Sequence, residues 1–275
     1  MQRFDSRLGC STISFRHQQL PEALATIAGL GFSEIDLGAL PGVCDHVPFV
    51  LDERAVEQVA RTVIASGLQV RSINGDIGDL NVPLGDGPRA GRQGHLASLV
   101  ALAVATDARA LVLPCGAIEH TPVDTLEADI DLVADELATA ARVTESRDVE
   151  LWTESLHLHR LCWNLERAQM LADRLPDNVG IVMDFSHVVA SGGDPVEFID
   201  RFGPRIAHVH IRDARPGEIN LSVGNGQVDF ARGLKQLAAG GYRGHFSLEL
   251  ETRDLTHEQR PAATSAAGHY ISELI

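Results

Sequence analysis

Four side chains able to bind a metal or move a proton sit at or near the ends of short apolar runs. They are Glu154 after VELWT, Asp184 after GIVM, His210 within IAHVHIRD and Glu249 within HFSLELE. The runs are rich in β-branched residues and are separated by stretches of helical spacing. Successive parallel strands would carry all four to the carboxyl end of one barrel, where such folds keep their chemistry. Three carboxylates and an imidazole converging there repel one another unless a cation lies between them, and an oxygen-rich set with one nitrogen suits a divalent metal. The chain reads as a metal enzyme. Each group also has a plainer use, because a carboxylate closing an apolar strand often serves as a helix N-cap; it is the set of four that favours metal.

The elements that would position these groups alternate regularly. LGCSTISF reads as the first strand, FSEIDLG as the second, LQVRSIN as the third and ALVLPCG as the fourth. VELWTE, VGIVMDF, IAHVHI and GHFSLELE follow as the fifth to eighth. Helical spacing is predicted after Pro21 up to Gly31, over 53–66, 91–106 and 123–145, and in NLERAQMLADRL, PVEFIDRF and DFARGLKQLAAGG. The tail 258–274 supplies a last amphipathic helix. Several strands are apolar throughout, as expected when both faces of a parallel sheet are covered. The fold class is α/β, a (β/α)8 TIM barrel. With 275 residues and no linker-like composition shift, residues 1–275 read as a single domain.

Composition excludes several classes. A hydrophobic share of 44% with 22% charged residues fits a packed globular chain. A net charge of -15 argues against binding a phosphate backbone, so no nucleic-acid partner is expected. The start MQRFDSRLGCSTISF lacks a basic, apolar export signal, and no long uncharged run suggests a membrane span. Cys10, Cys44, Cys115 and Cys162 show no CxxC pairing and read as reduced core thiols. A cytoplasmic protein without membrane partners is expected.

The combination GFSEIDLG, VELWTES, GIVMDFSH, IAHVHIRDA, VGNGQVDF and GHFSLELE resembles the sugar phosphate isomerase/epimerase superfamily, the xylose-isomerase-like barrels that include endonuclease IV. The resemblance spans nearly the whole chain. It implies that Glu154, Asp184, His210 and Glu249 ligate a divalent metal, and that His187 and an arginine after the seventh strand contact substrate. Arg215 is the nearest match for that arginine. In such epimerases one glutamate removes a proton and a second returns one from the other face, which implies Glu154 and Glu249 as the acid–base pair. Manganese is the expected ion, with magnesium, cobalt or zinc as alternates, since three carboxylates suit harder ions.

Other residues carry weaker expectations. His157 lies just past the fifth strand and could contact substrate. Arg160 stands where the epimerases carry a further glutamate, and could greet a carboxylate or phosphate. His208 shares the strand face of His210 and is read as a packing residue. Asp36 and Asn74 are candidates to line the pocket, Glu251 to act as a cap or acceptor, and Asp213 to orient the following loop or Arg215. Gly224, Gly226 and Asp229 read as a tight path into a capped helix.

Departures from the superfamily narrow the function. The third and fourth strands, VRSINGD and LVLPCG, lack the histidines of the three-zinc endonuclease branch, and Glu218-Ile219-Asn220 replaces its Asp-x-His. The expected activity is a metal-dependent isomerase or ketose 3-epimerase of a sugar, sugar acid or sugar phosphate, passing through an enediolate. A dehydratase of the inosose or dehydroshikimate type is the alternative, and a phosphodiesterase or a non-catalytic binding barrel is disfavoured. The partner is a small carbohydrate or polyol, with a homodimer or tetramer as the expected assembly.

Overall fold

A computed structural model describes residues 4–275. The reading of the amino terminus begins on residues 1–3, which lie outside the described residues. The barrel strands are β1 (Leu8–Cys10), β2 (Glu34–Ala39), β3 (Gln69–Gly75), β4 (Ala110–Pro114), β5 (Glu150–Glu154), β6 (Val179–Asp184), β7 (Ile206–Ile211) and β10 (Phe246–Leu248). They pair in parallel in the order β1-β10-β7-β6-β5-β4-β3-β2. The two end strands meet at a seam bridged by the Gly38 amide donating to Thr12 Oγ1 at 2.9 Å. This is a nearly closed (β/α)8 TIM barrel, as the alternation of elements predicts. Among the described residues no helix is long and apolar enough to cross a membrane.

Helix α2 (Glu53–Ser66) shows how local sequence builds the outer ring. Val56, Val59, Ala60 and Val63 form a buried stripe at helical spacing. Asp52 caps it by accepting the Ala55 amide at 2.8 Å, and Gly67 ends it at φ 74, a left-handed conformation that costs a glycine little. Each fully buried valine of that stripe contributes on the order of 1.5 kcal/mol. Alternate strand residues, including Leu111, Leu151, Ile181 and Val209, pack outward against the helices. Inside the barrel Ala110, Val112, Trp152 and Val182 form a separate apolar layer beneath the site.

Three local departures from the expected elements are present, and the first has an identifiable cause. The first predicted strand stops at Cys10 and becomes a 3-10 turn over Thr12–Phe15. Ser11 caps that turn, and the Ser14 hydroxyl donates to Leu248 O while accepting the Leu250 amide, so hydroxyl bonds replace the ladder. The expected helix over 91–106 begins earlier, as α3 (Asp86–Ala105). Past β7, a short antiparallel hairpin of β8 (Asp213–Arg215) and β9 (Glu218–Leu221) stands where a loop is predicted. Asp213 anchors the glycine loop beyond the hairpin by accepting the amides of Gly224, Gly226 and Val228 at 2.8, 3.0 and 3.1 Å. A Cβ at Gly226 would lie 2.1 Å from Asp213 Oδ1, so this loop requires glycine.

Candidate active site and metal centre

Strand register assembles the four predicted ligands. Glu154 closes β5 and Asp184 closes β6, where Asp184 pairs directly with His210 of β7. Glu249 follows β10, its amide donating to Ile211 O at 3.1 Å. Each of the four offers a ligand atom within 4.8 Å of the others, and all four residues are buried. His210 Nδ1 lies 3.1 Å from Glu154 Oε1 and 3.5 Å from Glu249 Oε2. Asp184 also serves the plainer use: Oδ1 accepts the Ser186 amide and hydroxyl at 2.6 Å each and caps α6 (Phe185–Ala190), leaving Oδ2 to face the cluster.

The electrostatics fit a cation. Burial first, then the charge of Glu154, pushes the Glu249 carboxyl up to about 7 against the opposing pull of His210. Burial alone would lower the His210 imidazole, but Glu249, Asp36 and Glu154 outweigh it and hold it well above its usual range. Three buried carboxylates and one imidazole leave an excess of negative charge that one neighbouring guanidinium does not cancel. This donor set therefore fits a divalent ion with Glu154, Asp184, His210 and Glu249 as ligands.

That guanidinium belongs to Arg212, not Arg215. Arg215 is exposed on β8, whereas Arg212 lines the cavity above the cluster. Its Nη2 donates to Asp184 Oδ2 at 2.8 Å, its Nη1 to Glu251 Oε2 at 3.2 Å and its Nε to Ser186 Oγ at 2.9 Å. The signal was present in the strand: His208, His210 and Arg212 share one parity in IAHVHIR, so all three point inward.

A cavity of about 460 Å³ opens over these groups. His187 and His157 lie on its wall, their rings 3.8 Å apart. Burial holds both imidazoles well below their usual range, reinforced by His187, Arg160 and Arg212 for His157 and by Arg212, His159 and His210 for His187. His157 Nε2 stands 3.9 Å from Glu154 Oε2. Asn74 also lines the cavity and donates to Glu249 Oε1 at 3.2 Å, a restraint the sequence did not reveal. Glu251 accepts from Arg16 as well as Arg212. Arg160 is buried in the wall, donating to Asp76 Oδ2 at 2.7 Å and Gly116 O at 2.9 Å. Asp36 does not line the cavity; it lies beneath it, 1% exposed, against His208. Trp152 packs on the His208 ring inside the barrel, and Trp163 stacks on His120 away from the cluster.

The sequence matches the xylose isomerase-like TIM barrel family over residues 24–273. The chain belongs to that family. It is similar to the rhizopine catabolism protein MocC of Rhizobium meliloti, 31% identical over 144 residues that cover 42% of this chain and 44% of that protein. It is also similar to an inosose dehydratase of Lacticaseibacillus casei, 29% identical over 105 residues covering 32% of this chain and 35% of the relative. The chain thus spans less than half the length of these curated relatives. Among solved structures of xylose isomerase-like fold, IOLI protein with a bound zinc atom superposes with a TM-score of 0.79 at 18% identity, covering 98% of this chain and 99% of that one. D-psicose 3-epimerase with D-tagatose, from Clostridium cellulolyticum H10, gives a TM-score of 0.79 at 15% identity over 98% and 99%.

Proposed function

We propose that this chain is a divalent-metal-dependent isomerase or 3-epimerase of a polyhydroxy ketone. The observation that carries the reading is the pair of glutamates, Glu154 and Glu249, which both line one cavity and lie 3.1 and 3.5 Å from the same His210 Nδ1. A carbon next to a ketone gives up its proton slowly in water, and a carboxylate within reach of that proton accelerates the step. One glutamate takes the proton as the enediolate forms, and the other delivers a proton to the opposite face or to the neighbouring carbon. A divalent metal held by Glu154, Asp184, His210 and Glu249 would supply Lewis-acid stabilisation of the charge developing on the substrate oxygen. Manganese is the ion we favour, and the zinc in the IOLI structure supports a metal in this fold. His157 and His187, both neutral, are suited to hydrogen-bond substrate hydroxyls, and Asn74 keeps Glu249 from rotating.

Three of the four arginines on the cavity wall are already paired with carboxylates. Arg160 is taken up by Asp76, Arg16 by Glu251, and Arg212 by Asp184 and Glu251. Arg253, on the same wall, has no carboxylate partner among the described residues, so an anionic group of a substrate would meet Arg253 and not Arg160, which revises the expectation for Arg160. The four free, buried cysteines suit the cytoplasmic setting proposed for the enzyme.

A dehydratase is the second reading, favoured by the similarity to inosose dehydratase. The same proton leaves, and a β-hydroxyl departs as water. Incubation with manganese and a panel of ketoses and inososes in deuterated water separates the two. Solvent deuterium on carbon in recovered or epimerised sugar supports the first, and an absorbing dehydrated product supports the second. Neither exchange nor dehydration of any ketone in the panel would overturn both.

A further inference from the structure

Beneath the ligand cluster, β2 and β7 meet through a buried carboxylate that the acid–base reading does not use. Asp36 Oδ1 accepts the Ser72 hydroxyl at 2.8 Å, and Oδ2 lies 2.8 Å from His208 Nε2. The same oxygen lies 3.5 Å from His210 Nε2, an atom with no other polar partner. The far side of the His210 ring presents Nδ1 to Glu154 and Glu249. An imidazole that ligates a metal through one nitrogen carries its proton on the other, and a carboxylate facing that proton sets the ring's orientation and tautomer.

We propose that Asp36 is a positioning residue for the metal centre, one buried carboxylate oxygen that faces the Nε2 protons of both histidines in His-Val-His and so commits His210 Nδ1 to the metal. The inference rests on the metal reading of the cluster above. His208 also gains a role, since by occupying the closer approach to Oδ2 it pins the carboxylate in the line of the strand. Asp36, His208 and His210 converge closely enough to be weighed as a second ion site. That alternative requires His210 to bind metal through both nitrogens, and it places the ion among residues that are at most 1% exposed.

The test measures metal rather than turnover. In Asp36→Asn the residue keeps its shape but loses its charge. Its Mn2+ affinity, read by competition with a chromophoric chelator, is expected to fall about 10- to 100-fold. The visible spectrum of the Co2+ form should change, because the His210 ligand is no longer held. Unchanged affinity and spectrum overturn the proposal. So does a second metal equivalent in the unsubstituted chain that disappears in Asp36→Asn, since Asp36 would then be a ligand. If Asp36→Asn does not fold, Ser72→Ala decides. It releases only Oδ1, and is expected to show a smaller loss of affinity with the same direction of spectral change; no change overturns. An unsubstituted chain that takes up no Mn2+ or Co2+ removes the metal reading itself, an outcome distinct from a normal metal site indifferent to Asp36.

Discussion

Arg212 Nη2 donates to Asp184 Oδ2 at 2.8 Å and stands 3.6 Å from Glu249 Oε2, so one buried guanidinium braces two of the four converging acidic and imidazole groups. Arg212→Ala should therefore lower kcat/KM by an amount equivalent to about 1 to 3 kcal/mol of transition-state stabilisation. Arg215→Ala, on the exposed hairpin, should stay within about 0.5 kcal/mol of the unsubstituted protein. Steady-state kinetics on both variants check the assignment, and the reverse ranking would return the role to Arg215.

The glutamate pair makes a second prediction. Glu154→Gln and Glu249→Gln keep volume and an oxygen while removing the base, so turnover should drop roughly 100-fold or more with metal still bound. Asp184→Ala and His210→Ala should instead lose the ion. Metal content measured alongside turnover separates the two behaviours; near-normal rates in the glutamine variants contradict the acid–base role.

Metal removal offers a third. Dialysis against a chelator should abolish activity, and manganese should restore it at one ion per chain. Elemental analysis of the purified protein gives the count. Two tightly held ions, or full activity after complete removal, would speak against a single catalytic centre.

The pairing of Arg160 with Asp76 sets a fourth expectation. Because its guanidinium is already neutralised, Arg160→Ala should reduce efficiency on paired neutral and phosphorylated substrates by the same factor. A selective loss on the anionic partner would show that Arg160 leaves Asp76 to meet substrate.

At the opposite end of the barrel, Glu34 is 4% exposed and accepts two bonds from Arg71, at 3.0 and 2.7 Å, and one contact from His245 at 2.8 Å. Burial alone would raise its carboxyl; His245 and then Arg71 outweigh that and hold it below the usual range. A depressed folded value means stability that is present above the unfolded value of about 4.3 and lost as pH falls through the folded one. Glu34→Gln should thus cost about 1 to 3 kcal/mol near neutrality. The gap should narrow in acid below about pH 4. Denaturant unfolding across that range is the measurement, and a gap independent of pH refutes the charge-based account.

Much of the barrel was legible because its signals are local. Val56, Val59, Ala60 and Val63 repeat at helical spacing between a capping Asp52 and a terminating Gly67, and α2 forms over the predicted 53–66. The order of strands, and the convergence of Glu154, Asp184, His210 and Glu249 at their carboxyl ends, follows from alternation of elements and from parity along each strand. The Asp229 cap of the helix α8 (Phe230–Ala239) was readable for the same reason, and of the two uses expected of Asp213 the structure shows the loop and not Arg215.

Relations between distant strands were not readable, because nothing in the chain states which inward side chains share a layer. Asp36 and His210 are 174 residues apart, and only barrel closure and stagger bring them within 3.5 Å. Asn74 reaches Glu249, and Asp76 neutralises Arg160, for the same geometric reason. Residue types and their periodicity determined the fold and the chemical kind of the cluster. The tertiary structure decided which arginine enters it, which charges are already spent on one another, and which carboxylate stands behind the histidine.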